Sequence, residues 1–66
     1  MLNRKLLKAE IAKNGMTQAS VAERIGMSYP TFYRKMKNGT FGIDEANRII
    51  VLLGIEDAGL IFFADE

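Results

Sequence analysis

Cysteine and histidine are both absent from the 66 residues. Without Cys, neither a disulfide nor a thiolate zinc site can form. Without His, the chain lacks the commonest general base and the commonest metal ligand. Long apolar runs are missing too. The longest, Ile49 to Leu53, is far below the roughly 20 residues that a membrane helix needs. There is no phosphate-binding glycine loop, and the acids do not cluster at metal-ligand spacing. Asp44-Glu45 and Glu56-Asp57 stand where the first turn of a helix favours negative charge. These absences argue against an enzyme, and no metal or other cofactor is expected. The N-terminal MLNRKLLKAEI mixes charges into its apolar pattern and shows no cleavage site, so no signal peptide is expected. A cytoplasmic protein without a membrane partner follows.

What is present is apolar and asymmetric. Hydrophobic residues make up 48% of the chain, which argues against disorder. The length suits one domain, residues 1–66, with no room for an effector domain. A chain this short buries only roughly 60% of its unfolded surface, so it needs compact local connections or a partner. The net charge of +1 hides a division. Residues 1–41 hold eight basic residues against two acidic ones, a net +6; residues 42–66 hold one against six, a net −5. A basic front attracts phosphate and an acidic back disfavours the wrong orientation. Ordinary solvated charge is the competing account.

The apolar spacing is helical throughout, and no strand pattern of useful length appears. Leu7 and Ile11, with Leu2, Leu6 and Ala12 beside them, predict a first helix over Met1 to Asn14 that stops at Gly15. Thr17 is a good N-cap for a second helix with Val21, Ala22 and Ile25 facing inward. Gly26 supplies a tight turn. Ser28 caps a third helix, and Pro30, the one proline, falls in its first turn, where a missing N–H costs nothing. Phe32 and Met36 face inward, Met16 and Met27 pack near the turns, and Asn38-Gly39 ends the helix. Phe41 is an expected anchor. A fourth helix over Ile43 to Leu53 carries Ala46, Ile49, Ile50 and Leu53 inward, and Gly54 closes it. A short fifth helix follows at about 56–63, weakened by Gly59. The fold class is all-α, a compact bundle of five short helices. Its central pair, 17–38, has the layout of a helix-turn-helix that reads DNA.

GMTQASVAERIGMSYPTFYRKMKNG, followed by FGIDEANRIIVLLGI, resembles the phage Cro and repressor class of helix-turn-helix proteins, often called XRE-like. The matching positions are Met16, Thr17-Gln18, Ala22, Gly26, Ser28, Phe32 and Asn38-Gly39, and the resemblance covers about residues 5–55. It implies a lambda-repressor-like bundle that binds a double-stranded DNA operator as a homodimer. It also implies phage or prophage origin and action by occupancy. Residue by residue, it assigns phosphate contact to Gln18 and Ser28, and base contact to Tyr29, Thr31, Tyr33 and Arg34. Lys35 and Lys37, with Asn38 and Thr40 in the exit loop, suit phosphates. Tyr29 and Pro30 stand where many members carry Gln or Arg, which shifts readout toward apolar contact. Tyr29 and Tyr33 also fit half-buried packing, and Arg34 also fits a solvated helix charge.

Leu60, Ile61, Phe62 and Phe63 follow one another, and one short helix cannot hide all four. An exposed apolar patch often marks an interface. Ile55, Leu60, Phe62 and Phe63 are therefore expected at a two-fold dimer contact. The competing account is that Leu60 and Phe63 cap a small core. A second functional reading is a protein-interaction module, an antirepressor or corepressor, that uses the same scaffold to bind another regulator.

Overall fold

The computed structural model describes residues 1–63. Asp65 and Glu66, two of the acids of the C-terminal half, lie outside the described residues, as does the end of the expected 1–66 domain. Five helices follow one another: α1 (Arg4–Lys13), α2 (Gln18–Arg24), α3 (Tyr29–Asn38), α4 (Ile43–Leu53) and α5 (Ala58–Phe62). There is no strand among the described residues. The all-α expectation holds.

Helix ends are set by short-range polar groups. Asn3 caps α1, its Oδ1 accepting from the Leu6 N–H at 3.1 Å. This moves the start of α1 from the expected Met1 to Arg4. Thr17 and Ser20 form a reciprocal pair on α2: the Ser20 N–H donates to Thr17 Oγ1 at 3.1 Å, and the Thr17 N–H to Ser20 Oγ at 2.9 Å. Two backbone donors that the first turn leaves open are thereby satisfied. Glu45 reaches back to accept from the Gly42 N–H at 2.8 Å. Asp57 makes no side-chain cap, and α5 spans only Ala58–Phe62, shorter than the expected 56–63.

The core joins all five helices. Leu7, Val21, Phe32 and Ile49 are its fully buried large side chains, each contributing about 1.5–3 kcal/mol by burial. Phe41 packs its ring 5.2 Å from that of Phe32, as the expected anchor. Leu6 and Ala12, expected beside the inward stripe of α1, are exposed. A stripe centred on Leu7 and Ile11 is enough for so short a helix, and it leaves its flanks to solvent.

Long-range hydrogen bonds fasten the helix ends to one another. Asn14 Nδ2 donates to the Leu53 carbonyl at 3.1 Å, joining the ends of α1 and α4. Arg48 Nη1 donates to the Ile25 carbonyl at 3.3 Å, so α4 holds the C-terminus of α2. The Asn3 N–H donates to the Ile61 carbonyl at 2.6 Å and ties α5 to the chain start. With α5 docked, Ile55 and Phe62 are only 8% and 9% exposed. This corrects their assignment to a dimer contact, because both are spent on the protomer's own core.

Candidate nucleic-acid interface

Helices α2 and α3 pack on each other through a turn at Gly26, whose φ is +77°. Left-handed backbone of that kind disfavours a side chain at Cβ by about 1–2 kcal/mol. Val21 and Ala22 of α2 meet the buried face of α3, where Phe32 and Met36 lie. The small Ala22 permits a close crossing. The inner face of α3 is thus fully committed, and its outer face is fixed in direction as a consequence.

That outer face is aromatic and cationic. Tyr29 and Tyr33 are 46% and 52% exposed, with ring centroids 6.1 Å apart. Tyr29, Tyr33 and Lys37 follow at i, i+4 and i+8, so they form one line along the helix. Arg34 is exposed beside them, as are Asn38 and Thr40 at the exit. The Thr40 N–H is held by the Lys35 carbonyl at 3.0 Å, which orders the exit loop.

Two expected contacts, Ser28 and Thr31, have local partners, and a third, Gln18, has none for its side-chain oxygen. Ser28 caps α3 and donates from Oγ to Thr31 Oγ1 at 2.9 Å. The Thr31 hydroxyl accepts that bond and keeps its own proton for another acceptor. Gln18 is half-buried at the start of α2, and its Oε1 is buried without a hydrogen-bond partner.

Lys35 departs furthest from expectation. It leaves the phosphate-facing set and pairs with Glu45 at 2.7 Å, bonding both carboxylate oxygens. The reason is its place on the flank of α3 that faces the first turn of α4. The Lys35 hydrogen bond, followed by that of the Gly42 N–H, holds the Glu45 carboxyl below its ordinary range, against the opposing effect of burial.

Sequence reasoning missed Arg48 and Ser20. Arg48 braces the Gly26 turn from the middle of α4, across 23 residues, and no local signal in the sequence marked it. Ser20 completes the α2 cap. Its signal was the Thr-x-x-Ser spacing, a weaker form of the usual Thr-x-x-Glu.

Two short helices crossing at a glycine turn, the second presenting a free polar face, define a helix-turn-helix protein. The family model for the bacterial regulatory proteins of the Fis family matches residues 1–38, which is α1 through α3. The match covers more than half of the chain, and the chain belongs to this family. Its class is the helix-turn-helix DNA-binding regulators. No curated protein and no solved structure gives a significant match. The finer resemblance to Cro and repressor proteins rests in part on FGIDEANRIIVLLGI, beyond the matched residues. No helix among the described residues is long and apolar enough to cross a membrane.

Proposed function

We propose that this protein is a cytoplasmic transcriptional regulator, not an enzyme, that binds a DNA operator as a homodimer and acts by occupancy. A Cro- or repressor-like role of phage or prophage origin is the finer reading. The observation that carries it is α3: its inner face is buried, and Tyr29, Tyr33, Arg34 and Lys37 stand exposed on the other. Tyr29, Thr31, Tyr33 and Arg34 meet base edges, with Arg34 suited to the O6/N7 pair of a guanine. Gln18, Ser28, Lys37, Asn38 and Thr40 take backbone phosphates.

The dimer reading draws on size and on the C-terminal end. The protomer is 28 Å in its longest direction, short of the roughly 34 Å between half-sites one turn apart. One protomer therefore reads one half-site. Leu60 and Phe63, 58% and 69% exposed, supply an apolar edge for the two-fold contact.

Selection of bound duplexes from a random pool tests the whole reading. The expected result is a palindrome bound in a salt-sensitive manner. Arg34→Ala then weakens the selected duplex by about 1–3 kcal/mol and relaxes one position. Equal loss on selected and random duplexes removes Arg34 from base readout. Failure to bind any duplex, with a shift only when another regulator is added, favours the protein-interaction module instead.

A further inference from the structure

A hollow of about 250 Å³ opens where α1, α2 and α3 meet, lined by Arg4, Lys8, Gln18, Tyr33, Met36 and Lys37. Three of these six are cations and none is an acid. Arg4 and Lys8 are i, i+4 on α1, so both project to the same side. The Arg4 guanidinium is held in place: Nη1 donates to the Lys37 carbonyl at 2.9 Å. That bond uses one of its five donors and neutralises none of its charge. Lys8 and Lys37 have no acidic partner among the described residues; the ion pairs there are Lys13–Glu10 and Lys35–Glu45. Gathering three like charges around one opening is unfavourable in the free protein, and an anion relieves it. Gln18 adds an unfinished group, since its buried Oε1 lacks a partner. An anion can accept only from the Gln18 Nε2, so the amide meets a phosphate with its nitrogen turned to the hollow.

We infer that this hollow is a phosphate seat, and that Arg4 and Lys8 of α1 grip a DNA backbone phosphate there together with Lys37. The inference rests on the DNA-binding reading above and extends the interface to a third helix. Its location commits it to duplex DNA rather than to a free anion. Tyr33 belongs both to the hollow and to the exposed line Tyr29–Tyr33–Lys37. A duplex lying along that line carries its backbone past the hollow. The seat reads no sequence; it fixes how far α3 is turned in the groove.

The test compares Lys8→Gln with Lys5→Gln, a neighbour on α1 that removes the same charge without lining the hollow. Binding to the selected duplex and to a random one is measured across salt concentrations. Arg4→Gln is the second seat variant, and thermal unfolding checks that each variant folds. Lys8→Gln is expected to lower the salt slope by about 0.9 and to weaken both duplexes by the same factor. Lys5→Gln changes both readouts less. Single methylphosphonate substitutions add a positional readout: the wild type loses affinity at one phosphate per half-site where Lys8→Gln is insensitive. If Lys8→Gln matches Lys5→Gln, or keeps the full phosphate pattern while the wild type binds DNA, the seat is wrong and the DNA reading stands. A wild type that binds no duplex overturns both.

Discussion

From Thr17 to Gly39 nearly every helix end is closed by a side chain or a left-handed glycine, whereas from Asp57 to Phe63 neither end is. Thr17 and Ser20 cap α2, Ser28 caps α3, and Gly39 ends α3 at φ +68°. Asp57 makes no side-chain cap, and Phe63 ends α5 at φ −128°, ψ 33°, outside the left-handed region that a glycine stop would use. At five residues, α5 is far below the roughly 12–15 that an isolated helix needs even to be marginal. It exists because Ile61 and Phe62 are buried and because Asn3 donates to Ile61. The first region combines local signals with burial; the second depends on burial and one long-range hydrogen bond. A reading surface needs a fixed direction, and the first region supplies it. The second region, without local caps, takes its position from the rest of the fold.

The largest expected effect separates the two regions. Phe32→Ala removes a fully buried ring from the α2–α3 crossing and costs about 3–5 kcal/mol. Stabilities of about 0.05–0.15 kcal/mol per residue are usual, so this loss threatens the whole fold, as urea unfolding will register. Phe62→Ala at the rim of the core is expected to cost less. Equal losses would put α5 inside the same cooperative unit as the helix-turn-helix.

Gly26→Ala comes next. Nothing lies within 4 Å of a Cβ at that position, so the cost is conformational only. About 1–2 kcal/mol is expected from the left-handed backbone. A neutral result in thermal unfolding would mean that the turn shifts to another conformation, and the direction of α3 would no longer be set there.

The Lys35–Glu45 pair contributes less, because both side chains are about a quarter exposed. Partly exposed pairs are worth about 0–1 kcal/mol. The Glu45 carboxyl lies below its ordinary range when folded, so its contribution is complete above the unfolded value of about 4.3 and is lost as pH falls below it. Unfolding followed as a function of pH in the wild type and in Glu45→Gln isolates this part. An identical acid dependence in the two proteins would remove Glu45 from the account.

The smallest effect on stability is expected from Leu60→Ser with Phe63→Ser, within about 0.5 kcal/mol, since both side chains are exposed. Sedimentation at micromolar concentration is where this pair should matter. The wild type is expected to associate and the double variant to remain a monomer. Association that survives the change would move the two-fold contact to another face, for example to the exposed Ile43 and Val51 of α4.

Much of the frame was legible from residue order. Thr17, Ser28, Pro30 and the glycine stops marked α2 to α4 because caps and turns act over three or four residues. Val21, Ala22, Ile25, Phe32 and Met36 were readable as core because a helix repeats its faces at fixed spacing. The candidate interface was legible in part. Tyr29, Tyr33, Arg34 and Lys37 are exposed on the outer side of α3, in keeping with their expected direction. Lys35, on the same helix, was misjudged because its flank is decided by where α4 starts. Asn3 was missed because a cap ahead of a charged run looks like any polar residue.

What residue order determined by itself is the set of helices and the inward stripe of each, since these depend on interactions within about one turn. What only the tertiary structure decided is which partners met across the chain. Arg4 bonds the carbonyl of Lys37, 33 residues away, and Arg48 braces the end of α2. Ile55 and Phe62 turned inward while Leu60 and Phe63 stayed out. Four apolar residues in a row satisfy every helical register equally, so the pattern holds no preference among them. Only the position of α1, against which α5 packs, selected which two would be buried.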